Sequence, residues 1–436
     1  MFKETMPLNA IIALRFFGLF LVLPVISVYA LNMPGANHTV VGVVIGGYAI
    51  TQMIFQIPFG IMSDKLGRKG TIIVGLLLFG IGSILAGVAT DILTLLLGRF
   101  LQGAGAIGAV VIAMISDLVK EEQRPKAMAM MGGSIAMSFA FAMMLGPIIG
   151  AFAGVDVLFY IVAFIAFASI YILVKYVPNP PNIIHTYNGT DKYSFLINPD
   201  LIKMNITNFL QKALMTFAFM IIPIVLTKTY NWDISELWKI YLPAMVAGIV
   251  SMAPAAILAE KKGMFKQVLI IGIVLFGLSY WIIGLSDNTT MFCIGVIIFF
   301  IGFNMHEPIM QSLTTRYAKV HQKGAVLGVF NSFGYFGTFV GGFVGGVYWD
   351  KMPLSSISVG ILVICLFWAI LILTLPNPSK TKIAYFHIDL GDKDKFHKLD
   401  NTPGCIEWYI NDTEQLIIIK YYKEFYDENE LLALIQ

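Results

Sequence analysis

The chain has 436 residues, of which 58% are hydrophobic and only 13% are charged, and its net charge is +3. Soluble globular proteins carry roughly 25% charged residues, so this composition excludes an ordinary soluble protein and indicates a chain that lies mostly in lipid. The small net charge gives no reason to expect a nucleic-acid partner. The three cysteines lack the C-x-x-C spacing of a zinc or redox site, and we expect no metal and no cofactor.

Twelve stretches are apolar over the length of about 20 residues that a helix needs to cross a bilayer. They cover roughly 8–31, 41–62, 70–90, 92–117, 126–150, 156–177, 203–227, 237–258, 267–286, 289–312, 324–347 and 353–375. The first is too long for a signal peptide, and a second span follows it directly, so we expect it to be retained. The sequence therefore predicts an all-α membrane protein whose main partner is the lipid bilayer.

Lys and Arg accumulate in alternate loops, at 65–69, 120–126, 261–266 and 316–323, whereas the loops between them are nearly bare. Loops rich in Lys and Arg remain in the cytoplasm when a membrane protein is inserted. We therefore expect both termini to be cytoplasmic.

A polar segment rich in Pro and Asn, at 178–200, divides the spans into two sets of six. We expect residues 1–177 to form one six-helix bundle, 178–200 a cytoplasmic linker and 201–378 a second six-helix bundle. Residues 259–263 repeat the charged hairpin that follows the second span, in degraded form. Two such halves are typical of a secondary transporter whose substrate path runs between them.

From Thr381 onward no stretch is long enough to cross a membrane. Alternating apolar residues predict strands at 383–390, 406–410 and 416–421, with a turn at 411–414. Helices are predicted at 392–399 and 428–435. This order predicts a small α+β cytoplasmic domain over 381–436 with a ferredoxin-like arrangement.

The hairpin between the second and third spans carries the pattern G-x-x-x-D-x-x-G-R-K. The matching positions are Gly60, Asp64, Gly67, Arg68 and Lys69. The run resembles the loop signature of the major facilitator superfamily, which lies between the same two helices. The resemblance implies that Asp64 caps the start of the eleventh helix, near Gly324, and that the hairpin pairs with Asp117 at the end of the fourth. Such contacts would latch the two halves together in one state. The alternative is that these are solvated charges that only fix the topology.

The fourth span contains a second pattern that resembles a superfamily motif, R-x-x-Q-G-x-G. Its residues here are Arg99, Gln102, Gly103 and Gly105. Arg99 lies well inside the span, so it must face a polar cavity or a partner. We expect a role in the cavity or in proton coupling; the alternative is a structural arginine bonded to neighbouring carbonyls.

The fifth span contains Gly146, Pro147 and Gly150, which resemble the G-P-x-x-G core of a motif associated with antiporters. Proline removes a backbone hydrogen bond and glycine permits bending or close packing. We expect a hinge or a tight interface here. The motif favours antiport over symport.

Further polar groups lie inside the first, seventh and tenth spans, which line the central cavity in this superfamily. They are Arg15, Lys212, His306 and Glu307. By the rise of 1.5 Å per residue, Lys212 and Glu307 lie at similar depths. We therefore predict a Lys212–Glu307 pair with His306 beside it, in which Glu307 binds and releases a proton. The alternative is that Glu307 only extends to the membrane interface.

The whole membrane part resembles the YajR family of bacterial transporters, in segments such as 55–60, 99–105 and 145–149 and at Glu307. That family has twelve spans followed by a small ferredoxin-like domain. The resemblance implies a protein of the bacterial inner membrane and proton-coupled export, and it supplies no substrate. We expect the exported molecules to be small and amphipathic or hydrophobic. Lys212 stands where a titratable histidine is expected in close relatives.

Other functions remain open, because the sequence identifies no substrate. The chain could be an importer or facilitator of a small metabolite, or a sensor derived from a transporter that signals through its C-terminal domain. None of these functions requires an enzyme, and we expect a monomer.

Overall fold

The computed structural model describes residues 2–119, 123–179, 196–318, 322–376, 381–387, 396, 398–399, 402–411, 415–422 and 424–435. Within these residues, twelve helical segments are long and apolar enough to cross a membrane, so this prediction is confirmed. In chain order, spans 1 to 12 are Thr5–Leu31, His38–Ser63, Arg68–Gly87, Ile92–Leu118, Lys126–Ala153, Val155–Tyr176, Pro199–Lys228, Ile234–Lys261, Phe265–Gly284, Thr289–Tyr317, Gly324–Trp349 and Leu354–Leu373.

Spans 1 and 4 are each built from two helices, and span 8 begins with a 3-10 turn and ends with a π-helical turn. The helices are α1 (Phe2–Leu21), α2 (Leu23–Leu31), α3 (His38–Leu66), α4 (Arg68–Gly87), α5 (Ile92–Ala104), α6 (Gly108–Leu118), α7 (Arg124–Ala153), α8 (Val155–Tyr176), α9 (Pro199–Lys228), α10 (Trp238–Ala256), α11 (Phe265–Gly284), α12 (Thr289–Tyr317), α13 (Lys323–Trp349), α14 (Leu354–Leu373) and α15 (Glu428–Ile435).

Several spans begin at a polar residue that caps the helix. Asn37, Asp91, Asn198 and Asn288 each accept hydrogen bonds from amides of the turn that follows, which satisfies donors that the helix itself leaves free. Because of the Asn198 cap, α9 begins within the predicted linker. Residues 180–195 of that linker lie outside the described part of the chain.

Two spans are broken inside the membrane. Span 1 is interrupted at Val22, just before Pro24, whose ring removes a backbone donor. Span 4 leaves the helical conformation between Ala104 and Gly108. Gly105 there lies against the carbonyl of Gly75 and leaves no room for a Cβ atom. Irregular backbone is tolerated at membrane depth only where protein or a cavity surrounds it.

The twelve spans form two six-helix bundles, with spans 1–6 and 7–12 each packed mainly among themselves. We call the end that carries the α3–α4 turn the motif side and the other end the opposite side. On the opposite side the bundles touch closely, because α3 packs on α13 and α2 packs on α9. The Nδ1 atom of His38 at the start of α3 lies within hydrogen-bonding distance, 2.8 Å, of the Asp350 carboxylate at the end of α13.

On the motif side the two bundles are apart. A Cβ atom built at Gly60, Gly132, Gly324 or Gly328 meets no described atom of a neighbouring helix within 4 Å. These glycines lie in the motif-side halves of α3, α7 and α13. The structure is therefore open towards the motif side and closed on the opposite side.

The C-terminal segment forms a small α+β unit, as predicted. Its strands are β1 (Thr381–His387), β2 (Cys405–Asn411) and β3 (Leu416–Tyr422), and they form an antiparallel sheet in the order β1-β3-β2. A third strand inserted between the first two is the arrangement of a split β-α-β unit. Residues 388–390, 391–395, 397 and 412–414, on which parts of the predicted strand, helix and turn fall, lie outside the described residues.

The small domain is attached to the second bundle. Lys420 in β3 donates hydrogen bonds to the carbonyls of Arg316 and Ala318 at the end of α12, at 2.9 and 2.7 Å. The end of span 12 is held in the same region, because Lys203 and Lys266 donate to the carbonyls of residues 374 and 373. A cation is favoured at such helix C-termini by the helix dipole.

Candidate functional site

Lys212 and Glu307 form an ion pair inside the second bundle. The Lys212 Nζ atom lies 2.8 Å from one carboxylate oxygen of Glu307 and 3.0 Å from the other. Gln211 also donates to this carboxylate, at 3.2 Å. The side chains are 20% and 33% exposed, so water reaches the pair although both residues lie within their spans. A charge pair in the membrane that is open to water is typical of a substrate or ion path.

His306 lies away from this pair, although it precedes Glu307 in the chain. Successive residues of an α-helix point about 100° apart, and His306 is directed into the core of the second bundle. Its Nε2 atom lies 2.7 Å from the carbonyl of Leu269, and its ring packs edge-on against Phe276 and Trp368. The structure therefore places His306 in helix packing and does not bring it to the cavity pair.

Arg99 is fully buried in the first bundle and all of its donor nitrogens have acceptors. They donate to two backbone carbonyls of α3, at 3.2 and 3.5 Å, and to the side chain of Gln102 at 2.7 Å. Gln102 in turn donates to Ser83 at 2.8 Å, and the guanidinium lies 4.6 Å from the ring centre of Tyr48. This network joins spans 2, 3 and 4. Its geometry is that of a structural arginine bonded to neighbouring carbonyls, which was the alternative to a role in the cavity.

Arg15 is also buried in the first bundle, with 1% of its surface exposed. Its Nη2 atom donates to the carbonyl of Gly105, at 2.9 Å, in the break of span 4. Its Nε and Nη1 atoms have no hydrogen-bond partner among the described residues. Arg15 and Arg99 thus differ sharply in how their charges are compensated.

The hairpin on the motif side makes contacts within the first bundle. Arg68 forms an ion pair with Asp117 at 3.1 Å and donates to Ser63 at 2.6 Å. Gly67 joins α3 to α4 with a φ of 79°, a left-handed conformation that favours glycine. The Asp64 side chain lies outside what the structure describes.

Among the described residues, Lys69 of the hairpin forms no ion pair or side-chain hydrogen bond. Lys69 lies at the start of α4, and neither Gly60 nor Gly324 approaches another helix within 4 Å among the described atoms. Gly60 and Gly324 therefore take no part in a close contact between the hairpin and the start of span 11. The corresponding hairpin of the second bundle holds an ion pair between Glu260 and Arg316.

Three glycines of the two helix motifs, Gly103, Gly105 and Gly146, lie where a Cβ atom would collide with a neighbouring helix. A Cβ atom at Gly103 would collide with the backbone of Tyr48, and one at Gly146 would collide with the carbonyl of Leu21, at the break of span 1. Gly150 makes only ordinary contacts, and Pro147 lies within the continuous helix α7. These motifs pack spans 4 and 5 against spans 2 and 1.

The contacts that close the opposite side were not predicted from the sequence. Gly42 and Gly46 on α3 face Gly342 and Gly346 on α13, and each position lies too near the facing backbone for a Cβ atom. Both pairs follow the G-x-x-x-G pattern of closely packed membrane helices, so the sequence does contain a signal for this packing. Deeper in the membrane, Gln52 and Tyr335 are joined by a hydrogen bond of 2.7 Å between the two bundles.

Aromatic rings also join the bundles near the cavity pair. Phe139 of span 5 packs against Phe219 and Phe303 of the second bundle, with ring centres 6.0 and 5.7 Å apart. The Lys212 Nζ atom lies 5.0 Å from the ring centre of Phe303. An ion pair beside aromatic walls can hold a molecule that has both an apolar body and a charged group.

The family model of the Major Facilitator Superfamily matches residues 8–342 and 205–386 of the chain. The chain belongs to the major facilitator superfamily. It is 37% identical to the inner membrane transport protein YajR of Escherichia coli, over 79% of the chain and 77% of that protein. It is also 25% identical to the quinolone resistance protein NorA of Staphylococcus aureus, over 80% of the chain and 90% of that protein. The protein is therefore a membrane transporter of this superfamily.

The fold is shared with solved structures of the superfamily at low sequence identity. A bacterial homologue of the human lysosomal transporter Spinster, in an inward-facing and unoccupied conformation, has a TM-score of 0.68 and 15% identity. The match covers 85% of the present chain and 97% of that structure.

Proposed function

We propose that the protein exports small amphipathic or hydrophobic molecules in exchange for protons, by alternating access, and that it has no enzymatic activity. The observation that carries this proposal is the water-accessible Lys212–Glu307 pair beside aromatic walls. The 25% identity to a quinolone resistance protein also supports export. We place the protein in the inner membrane of a bacterium, as a monomer.

Proton exchange follows from the charges of the pair. When Glu307 is ionised, its carboxylate neutralises Lys212 at 2.8 Å. A proton on Glu307 removes that compensation and leaves an uncompensated ammonium group in a partly desolvated cavity, which is costly. We take Glu307 as the proton carrier because it is the one acid placed well within the described spans, and Lys212 couples its protonation to the charge that the cavity presents to a substrate.

Alternating access follows from the asymmetry between the two ends of the bundle. We take the motif side as cytoplasmic, with both termini there, because its loops carry the excess of Lys and Arg. The open state accepts substrate from the cytoplasm. Release to the other side requires the contacts of α3 with α13 to separate and the motif-side ends to close, with Asp64 then meeting the start of span 11.

The proposal is tested with purified protein in proteoliposomes that contain a pH-sensitive dye. A ligand-stabilisation screen first identifies a compound that raises the melting temperature, and that compound is then added with and without an imposed pH gradient. We expect compound-dependent proton movement with wild-type protein and none with Glu307→Gln. Glu260→Gln, which removes a carboxylate at the motif-side end of span 8, is the matched control and should retain coupling.

Three results would contradict the proposal in different ways. Proton coupling by Glu307→Gln equal to that of the wild type rules out Glu307 as the proton carrier. Flux of the compound without proton movement indicates a facilitator or importer. Binding without flux indicates a sensor that signals through the C-terminal domain.

A further inference from the structure

The break in span 4 exposes the start of a helix inside the membrane. Helix α6 begins at Gly108, and its N-cap residue Ile107 makes no side-chain capping hydrogen bond. The first turn of α6 contains no acidic residue. The first amides of an α-helix have no acceptor within the helix, and with the helix dipole they give this end a partial positive charge.

A second positive group lies at the same break. Arg15 reaches the carbonyl of Gly105 with its Nη2 atom at 2.9 Å, three residues before α6 begins. Its other two nitrogens are buried and have no acceptor among the described residues. A buried cation without a counter-ion is expensive, and Arg99, each of whose three nitrogens has an acceptor, shows that this bundle can supply acceptors to every nitrogen of an arginine.

A Cβ atom fits at Gly108 and a further donor lies beside it, while residues 104–108 are themselves buried in this state. A Cβ atom at Gly108 would meet only the Tyr335 hydroxyl within 4 Å, at 3.8 Å. That hydroxyl accepts a hydrogen bond from Gln52, so its own proton can be donated to a ligand. The rings of Phe79 and Phe16 lie 5.5 and 5.8 Å from the Arg15 guanidinium and provide apolar walls.

We propose that this break binds the acidic group of the substrate, so that the transported molecules are amphipathic carboxylates. The inference rests on the proposed transport function and narrows its substrate class. A carboxylate here accepts hydrogen bonds from Arg15, from the first amides of α6 and from Tyr335. Because Tyr335 belongs to the second bundle, a ligand at this site touches both halves.

The charge inside the described spans agrees with this substrate class. Well within the described spans lie three cations, Arg15, Arg99 and Lys212, but a single carboxylate, that of Glu307. The resulting field attracts an anion into the cavity and opposes a cation.

Binding to the purified full-length protein tests the proposal, with three probes that share one ring and differ in charge. They are benzoate, benzamide and benzylammonium, and their dissociation constants are measured by calorimetry without a pH gradient. We expect benzoate to bind at least about tenfold more tightly than the other two, since hydrogen bonds to a charged group contribute strongly. Arg15→Gln should weaken benzoate binding by about ten- to a hundredfold.

Three further variants separate the site from its surroundings. Gly108→Val fills the space in front of α6 while Arg15 remains, and it should also weaken benzoate binding. Lys175→Met removes an exposed cation of α8, away from the break, and should leave benzoate binding unchanged, whereas Lys212→Met removes the other cation of the cavity and should weaken benzoate binding less than Arg15→Gln does. The melting temperature of each variant without ligand shows whether it is folded.

The proposal is overturned if wild-type protein does not bind benzoate, if benzamide binds as tightly, or if Lys212→Met abolishes binding while Arg15→Gln does not. Failure of proton coupling leaves these binding constants untouched. The substrate class and the transport mechanism are therefore tested separately.

Discussion

The close packing of α3 on α13 makes Gly46→Ala a direct test of how the open state is held. A Cβ atom at Gly46 would lie 2.8 Å from the carbonyl oxygen of Thr338 and 2.9 Å from the Cα atom of Phe339. These distances are about 0.6 Å shorter than an ordinary van der Waals contact. Both contacts are backbone atoms, so the helices themselves must separate on the opposite side.

Overpacking of this kind costs about 1–3 kcal/mol. Because the contact exists only while the opposite side is closed, the cost falls on the motif-side-open state. The ratio of the two states should therefore change by about five- to a hundredfold towards closure of the motif side.

The assay is double electron–electron resonance between spin labels at Tyr176 and Lys262, exposed motif-side positions of the two bundles, after the native cysteines are replaced. Gly46→Ala should shift the population towards shorter distances. Gly328→Ala, on the partner helix α13, is the matched control, because its Cβ atom meets no described atom of another helix. An unchanged distance distribution in Gly46→Ala, or an equal shift in Gly328→Ala, would refute the reasoning.

Three further outcomes follow from contacts described above. Hydrogen bonds from the Thr94 side chain and backbone lower the pKa of Asp91. Asp91→Asn should therefore reduce thermal stability at neutral pH, and its difference from wild type should vanish as the pH falls through that lowered pKa, because only the ionised cap is favoured by folding. Arg99→Ala should cost about 3 kcal/mol or more, seen as a lower melting temperature, since it leaves buried acceptors unpaired; an Arg99→Ala protein of normal stability that has lost proton coupling would support the cavity role instead. Lys420→Met should speed proteolytic release of the small domain, measured by gel, whereas Lys382→Met at an exposed position should not.

The number of spans and the small domain could be predicted from the sequence, because hydropathy over 20 residues is a strong signal. The breaks in spans 1 and 4 could not be predicted. Proline and glycine are compatible with both continuous and broken membrane helices. At Gly105 the choice depends on the backbone of Gly75, which is distant in the chain.

Part of the candidate site could also be predicted from the sequence, namely the ion pair but not the surroundings of each side chain. Equal depth was enough to pair Lys212 with Glu307, since depth follows from helical rise. The orientation of a side chain around its helix depends on which spans are neighbours, and this is why His306 was expected beside the pair but lies in the bundle core. Whether the nitrogens of Arg15 find hydrogen-bond acceptors likewise depends on how three spans pack together.

The attachment of the small domain through Lys420 has a mechanical consequence. In the proposed alternating-access cycle, a domain fixed to one bundle lies farther from the rotation axis than the spans do, so a small rotation of the bundle moves the domain over a larger distance. A fluorophore on this domain and another on the first bundle would therefore report the transport cycle in real time, without any label inside the membrane.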